Sequence, residues 1–329
     1  MIEKCPKILV TGGAGYIGSH LCRILDDSKI EYVVLDNFST GFEQALPLKT
    51  KIYRGDISDL SILNKIFQEN NIQSVMHFAA KISVAESIEK PKLYHETNYL
   101  KLVSFSEYCK EHGVSNFIFS STAAVYGDLE TEKVQENSPT KPQSPYGKSK
   151  LEAEKHLQKI SDEQFNIGIL RYFNVAGAHP DGSIGQSTKG ETSLVKACAL
   201  TAAGKLDSLH IFGTDYPTKD GTCERDFIHV MDLADIHIQC LEFLKTKKQS
   251  ILLNCGYGRS FTVKEVVSSM KTVSGIDFKV FHSDRRAGDI VSSCSDTTLL
   301  QKSLNWSPMF NDLDEICKSA FQWEKSPKY

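Results

Sequence analysis

Tyr146 and Lys150 stand four residues apart behind Ser144-Pro145, a spacing that puts a phenol and an ammonium on one face of a helix. Ser144 is a good N-cap and Pro145 a good first helical residue, so a helix is expected to start there. A free phenol ionises near pH ~10 and is a poor base at neutrality. Lowering that value by about three units requires roughly 4 kcal/mol of preferential stabilisation of the phenolate, and a neighbouring ammonium can contribute it. The chemistry on offer is the removal of a proton from a hydroxyl group. Thr122, in Ser120-Ser121-Thr122-Ala123-Ala124 at the end of a strand-like run, is expected to join the pair. Taken alone, each feature has a plain alternative: a Tyr–Lys helix surface, or a strand-end hydroxyl satisfying backbone.

What shifts the reading is the N-terminal pattern. Lys7-Ile8-Leu9-Val10 runs into Thr11-Gly12-Gly13-Ala14-Gly15-Tyr16-Ile17-Gly18. Glycines let a backbone turn tightly and approach a pyrophosphate, and the helix that follows offers its positive end to the anion. A second strand-like run ends in Asp36, 18 residues past Gly18, where an acid can bind the adenine ribose hydroxyls. An acid there repels a 2′-phosphate, so NAD is expected rather than NADP. The positive nicotinamide ring would then join Lys150 in stabilising a Tyr146 phenolate. Asp56, after Gly55, can meet the adenine edge or serve as a turn residue.

The elements that must position these groups alternate. Strand-like runs fall at Lys7–Thr11, Tyr32–Asp36, Lys51–Asp56, Ser74–Ala79, Asn116–Ser121 and Ile167–Tyr172. Helical patterns lie between them, as in the stripe Ile17, Leu21, Ile24, Leu25. This alternation calls for an α/β fold, a doubly wound parallel sheet covered by helices. From about Asn174 the texture turns to Gly, Pro, Asp and Thr, as in Ala178–Gly182 and Thr214–Gly221, which read as loops over a cleft. The expected division is a cofactor domain over 1–174, with 226–257 returning to it, and a smaller α/β substrate lobe from 175–225 and 258–329.

The G-x-x-G-x-x-G spacing resembles the extended short-chain dehydrogenase/reductase family over nearly the whole chain. Within it, Gly12–His20, Phe119–Asp128, Pro145–Lys150, Leu170–Gly177, Ile211–Gly221 and Arg225–Asp232 resemble the UDP-glucose 4-epimerases. The resemblance implies catalytic roles for Tyr146 and Lys150, and gives Thr122 the hydroxyl that orients the sugar O4 or shuttles its proton. It implies cofactor contacts at Gly12, Gly15, Tyr16, Ile17, Gly18, Asp36, Asn37, Asp56, Ile57, Phe78, Ala79, Asn98, Thr122, Tyr146, Lys150 and Tyr172. On the substrate side it implies Asn174 at the diphosphate, Phe212 with Gly213 at the uracil, Arg225 and Arg286 at diphosphate and ribose, and Asp289 at the uridine ribose. Planar guanidinium groups suit bidentate phosphate binding. Thr122, Tyr146, Ser193, Leu194 and Ser293 complete that set.

Three positions depart from the family. Ser193 replaces a frequent Asn or His, Ile82 stands where some members carry a lysine (Lys81 is one place earlier), and Ser293 replaces a bulky tyrosine of some members. Dehydratases and decarboxylases of this superfamily place an acid where this chain has Ala123 or Ala124. Without one, elimination lacks its extra proton-transfer group, so the resemblance favours inversion at C4 of a UDP-hexose through a 4-keto intermediate. The alternatives are an NAD-dependent nucleotide-sugar oxidoreductase with net redox, and a catalytically idle NAD-binding sensor.

Composition bounds the rest. The chain has 329 residues, 40% hydrophobic and 24% charged, with net charge -3, so no basic field invites nucleic acid or an anionic membrane. No apolar run reaches the ~18 residues of a membrane span. The N-terminus, Met1-Ile2-Glu3-Lys4-Cys5-Pro6, shows no export signal, and a cytoplasmic protein is expected. Nine cysteines without C-x-x-C spacing read as reduced thiols, with no metal site. The helices expected at Pro91–His112 and Pro145–Ile160 can form a homodimer contact, as in the family. Galactose use and surface polysaccharide synthesis are both open as pathways.

Overall fold

A computed structural model of the chain describes residues 5–129, 131–187, 193–286 and 289–329. The first strands and helices are β1 (Pro6–Thr11), α1 (Tyr16–Asp27), β2 (Tyr32–Asp36), β3 (Ile52–Arg54), α2 (Leu60–Glu69) and β4 (Asn71–His77). There follow α3 (Val84–Glu89), α4 (Pro91–His95), α5 (Lys101–Glu111), β5 (Asn116–Thr122), α6 (Pro145–Ile160) and β6 (Asn166–Tyr172). Next come β7 (Asn174–Ala176), α7 (Leu194–Ala202), β8 (Leu209–Phe212), β9 (Glu224–His229), α8 (Val230–Lys247) and β10 (Ile251–Cys255). The chain ends with β11 (Ser260–Thr262), α9 (Val263–Ser274), β12 (Val280–Ser283), β13 (Ser292–Ser293), α10 (Thr298–Leu304) and α11 (Leu313–Lys325).

The expected alternation gives a seven-stranded sheet in the order β10-β6-β5-β4-β1-β2-β3. The pairings from β3 through β2, β1 and β4 to β5 are parallel. The order reverses between β1 and β4, and at such a switch point the loops leaving the two strands diverge and open a crevice. Apolar runs such as Ile8-Leu9-Val10 are buried on both faces because helices cover the sheet. The core beneath includes Leu9, Val33, Phe105, Phe117, Leu157 and Ile169.

The chain divides into two compact units. One comprises Met1–Val125, Pro142–Arg171 and Ala234–Leu253; the other comprises Tyr126–Lys141, Tyr172–Leu233 and Asn254–Tyr329. The second has its own core of Val195, Leu209, Phe227, Val266, Met270 and Ile316. Its sheet orders β11-β9-β13 with β7 also on β9, beside a β8–β12 pair. The expected return of 226–257 to the first unit is therefore corrected. β9 pairs inside the second unit, with β7, β11 and β13, and the return begins at Ala234. The segment 126–141 also belongs to the second unit, where Val134 N–H donates to the Cys294 carbonyl (2.9 Å) and the Tyr126 hydroxyl to Asn254 Oδ1 (2.6 Å). The helix expected over Pro91–His112 is α4 and α5 joined through a π-helical turn, Glu96–Leu100. Among the described residues no helix is long and apolar enough to cross a membrane.

Candidate active site

In the first unit, β1 ends at Thr11 and the chain turns through Gly12 at φ +70. A Cβ on Gly12 would lie 2.6 Å from the Ala79 backbone nitrogen, just past β4. The glycine loop therefore presses against the Phe78-Ala79 turn on the other side of the switch point, and only glycine fits there. A Cβ on Gly18 would lie 2.4 Å from the Gly12 carbonyl, so the first turn of α1 packs equally close. α1 starts at N-cap Gly15 with no side-chain cap, leaving its positive end for an anion. Tyr16 and Ile17 form that first turn.

Asp36 closes β2 and is buried. Its carboxylate accepts from Ala14 N–H (2.9 Å) and Phe38 N–H (2.7 Å). Burial pushes its pKa up, with those two N–H groups pulling the other way. Asn37 donates to Asp56 (3.3 Å), and Asp56 forms an ion pair with Lys101 (3.0 Å). Burial pushes the Asp56 pKa up, but Ser58 and Lys101 outweigh it and hold the carboxyl below its ordinary value. Ile57 is buried beside it. An uncapped helix start, a glycine cradle with no room for a Cβ and an acid at the second strand end fit a dinucleotide.

Asn98 sits in the π-turn. Its Oδ1 accepts from Lys81 N–H (2.9 Å), and its Nδ2 donates to the Lys81 carbonyl (2.9 Å) and to Ser149 Oγ (3.3 Å). It ties the loop after β4 to α6. Ile82 is half exposed, and the Lys81 ammonium is turned to Glu86 (3.5 Å).

Thr122 ends β5, and Tyr146 and Lys150 share one face of α6, whose start is fixed by Ser144 Oγ accepting from Gly147 N–H (3.1 Å). A Cβ on Gly147 would lie 2.6 Å from the Ala124 carbonyl. Glycine there lets the turn after β5 touch the first turn of α6, and this brings the Thr122 hydroxyl close enough to the Tyr146 phenol to favour its ionised form. The Lys150 ammonium donates to the Ser120 carbonyl (2.8 Å) and lies 4.7 Å above the Phe119 ring. Burial pushes the Tyr146 phenol up, with the Thr122 bond pulling down, and pushes Lys150 down to about 7, with Glu154 pulling up. A phenolate and an ammonium formed together conserve net charge, so a proton can move within the pair more cheaply than on or off either member alone. Tyr94 stands edge-on to Tyr146 at 6.4 Å.

In the second unit, Phe212 ends β8, and the Arg286 guanidinium lies 4.7 Å over its ring while Arg286 Nε donates to Asp289 (3.1 Å). Arg225, on β9, donates from Nη1 to the Glu224 (2.8 Å) and Ile290 (3.0 Å) carbonyls. Ser293 pairs in register with Arg225, and Asn174, on β7, pairs with Phe227 further along β9. Contacts and register thus gather Phe212, Arg225, Arg286, Asp289, Ser293 and Asn174. Ser193 caps α7 by position, its hydroxyl on Gln186 (3.2 Å), with Leu194 next; these two are outside that set of contacts. Tyr172, at the end of β6, is buried and falls in the second unit. The cysteines offer no rival nucleophile: all but Cys5 are buried, and burial pushes Cys240 and Cys317 up to about 12.

Sequence reasoning missed three groups next to Thr122, Tyr146 and Lys150. Glu154 is one helical turn past Lys150, and it binds Arg171 of β6 (2.6 Å) and the Ser121 hydroxyl. An arginine inside the apolar run Ile167–Tyr172 was the available signal, because a charge in a central parallel strand needs a buried partner.

The model of the NAD dependent epimerase/dehydratase family matches residues 8–256. A UDP-glucose 4-epimerase of Azospirillum brasilense is 42% identical over 322 residues, covering 98% of this chain and 92% of that protein. A crystal structure of a UDP-glucose 4-epimerase superposes with TM-score 0.95 at 39% identity, covering 98% of both chains. The structure of the UDP-Glc/GlcNAc 4-epimerase from Campylobacter jejuni does so with TM-score 0.85 at 46% identity, covering 97% of this chain and 99% of that one.

Proposed function

Because the chain belongs to the NAD dependent epimerase/dehydratase family, we propose that it inverts C4 of UDP-hexoses through a transient 4-keto sugar. Its substrates are UDP-glucose and UDP-galactose, and also UDP-GlcNAc and UDP-GalNAc. Bound NAD supplies a hydride acceptor for C4 that gives the hydride back on the opposite face, so turnover is redox-neutral.

The residues of the chain do the rest. Tyr146, as phenolate, takes the proton of the C4 hydroxyl and returns it after inversion. Thr122, whose hydroxyl acts on the phenol, orients O4 or relays the proton. Lys150 stabilises the phenolate by charge. The observation that carries this reading is the group of half-buried Thr122 and Tyr146 with buried Lys150, beside Ala123 and Ala124. Proton movement at C4 needs only those three side chains, whereas elimination would need an acid where the alanines stand. On the substrate side, Arg225, Arg286 and Asn174 hold the diphosphate, Phe212 with Gly213 takes the uracil, and Asp289 the ribose. With the UDP held firmly, the sugar is free to turn. Ser293 is small and half-buried, which leaves space for a 2-acetamido group that a tyrosine would fill.

The same proposal includes a cytoplasmic homodimer serving galactose or related carbohydrate metabolism. Exposed Ile88 and Leu100 near α4 and the π-turn support a partner on that face. The test is to incubate the purified protein with each UDP-sugar and separate the products. Epimers should form with no stoichiometric NADH. A 340 nm rise in proportion to substrate, or a product lighter by one water, would assign a different reaction.

A further inference from the structure

Glu154 and Arg171 are both buried, at 1% and 4% exposure. Their bond is two-pronged: Arg171 Nε donates to Oε1 (3.0 Å) and Nη2 to Oε2 (2.6 Å). The Ser121 hydroxyl also donates to Glu154 Oε1. Well-packed apolar residues commonly serve a fold as well as or better than a buried ion pair, so stability alone does not account for this one.

Its location is informative. Tyr146, Lys150 and Glu154 recur every fourth residue along α6 and so share one stripe of the helix. Ser121 immediately precedes Thr122, and Arg171 lies on β6, the strand beside β5. The carboxylate is thus bonded to both strands beneath the three catalytic side chains. Lys150 has a carbonyl and an aromatic face as its direct contacts, so its counter-charge must come from further along the helix, and Glu154 is the acid whose charge acts on it.

Other ionisable groups around α6 have partners of their own among the described residues; Lys110 of α5 donates to the Ile160 carbonyl (2.7 Å) and pairs with Asp162 (2.6 Å). His77 of β4 bonds Thr11 (2.8 Å), and burial, with the Lys150 charge, pushes it down to about 3, so it is neutral. The Tyr94 hydroxyl of α4 donates to Glu86 of α3 (3.0 Å). His95 of α4 pairs with Glu152 (3.0 Å), and Tyr99 of the π-turn lies against His95 (5.2 Å). Glu107 of α5 acts on His156.

We propose that Glu154 is a positioning residue for proton transfer: its carboxylate, pinned between Arg171 and Ser121, keeps Lys150 charged and in line with Thr122 and Tyr146. The inference rests on the assignment of Tyr146 and Lys150 given above. The alkaline limb of the kcat/KM profile then marks loss of the Lys150 proton. The Glu154 charge pulls the Lys150 pKa up, so removing it should move that limb to lower pH.

The test uses Glu154→Gln, Glu154→Asp and the neutral pair Glu154→Gln/Arg171→Gln, each first checked for folding and NAD binding. The pair is included because a lone buried guanidinium can unfold the single variant. Glu154→Asp keeps the charge and should keep the alkaline limb, at reduced kcat, while each folded Gln variant should shift it down. Titration of the Lys150 Cε resonance in NAD-free protein should shift in the same direction. A folded Gln variant with the wild-type limb would overturn the proposal. So would failure of both Gln variants to fold, since the pair would then be a brace for the fold alone. Tyr146→Phe with near wild-type turnover would instead remove the underlying assignment.

Discussion

Replacing Lys150 with methionine should make the NAD-free protein more stable and the enzyme nearly inert. Lys150 is 3% exposed, and burial takes its pKa from 10.5 down to about 7, against a smaller pull from Glu154. A cation whose pKa falls on folding binds its proton less well in the folded state. The cost is therefore small above pH 10.5, grows as the pH falls, and is complete below about 7. At ~1.4 kcal/mol per pH unit, the full fall is worth roughly 5 kcal/mol. Methionine loses the bond to the Ser120 carbonyl, about 1 kcal/mol, and the contact with Phe119, about another 1 kcal/mol. The net gain is roughly 3 kcal/mol at pH 6, or about 6–12 °C in Tm for a domain of 150–250 residues. Melting curves of stripped wild-type and Lys150→Met protein at pH 6, 8 and 10 measure this, and the advantage should vanish by pH 10. Activity on UDP-galactose should fall at least ~10²-fold, the low end for loss of acid–base assistance. A variant that melts below wild type at pH 6, or whose advantage is independent of pH, would show that the buried ammonium carries no such cost.

Three further outcomes follow from the same geometry. Tyr146→Phe removes only the ionisable oxygen, so the variant should fold and hold NAD yet lose ~10²-fold or more in kcat; near wild-type turnover would exclude Tyr146 as the base. Asp36 at the end of β2 should make stripped protein bind NAD more tightly than NADP by calorimetry, and Asp36→Asn should narrow the gap; equal wild-type affinities would detach Asp36 from the ribose. Ser293→Tyr should lower kcat/KM for UDP-GlcNAc by ~100-fold, about 2.7 kcal/mol of transition-state binding, and spare UDP-glucose; equal losses on both would point to misfolding.

The parts of the site readable in sequence are those that local chemistry determines. Gly12 is legible because a backbone at φ +70 beside Ala79 excludes a side chain, and α6 because Ser144 and Pro145 mark its start. β9 illustrates the opposite case. Glu224–His229 looks like any strand, and its place in the second unit follows from pairing with β7, β11 and β13, partners far apart in the chain that no local pattern names. Asn98 was legible only by resemblance, because the partners of its amide, Lys81 and Ser149, are brought to it by the fold. Glu154 escaped notice because a helical glutamate is ordinarily solvated, and its burial becomes visible only once β5 and β6 are placed beneath α6.

Burial also separates positions that are costly to change from those that are cheap. Glu154, Arg171 and Asp36 are nearly inaccessible, each held by bonds to neighbours that would be orphaned by substitution, so change there costs stability, whereas change at Lys150 costs chemistry alone. Ser293 is in a different position. Its backbone is set by parallel pairing with the strand of Arg225, while its half-buried side chain makes no bond that replacement would break among the described contacts. Register constrains where the side chain stands, and its volume remains adjustable. On the proposed assignment of Ser293 to the sugar pocket, the size of substituent admitted should be adjustable there without disturbing Arg225, whose Nη1 is anchored on the Glu224 and Ile290 carbonyls.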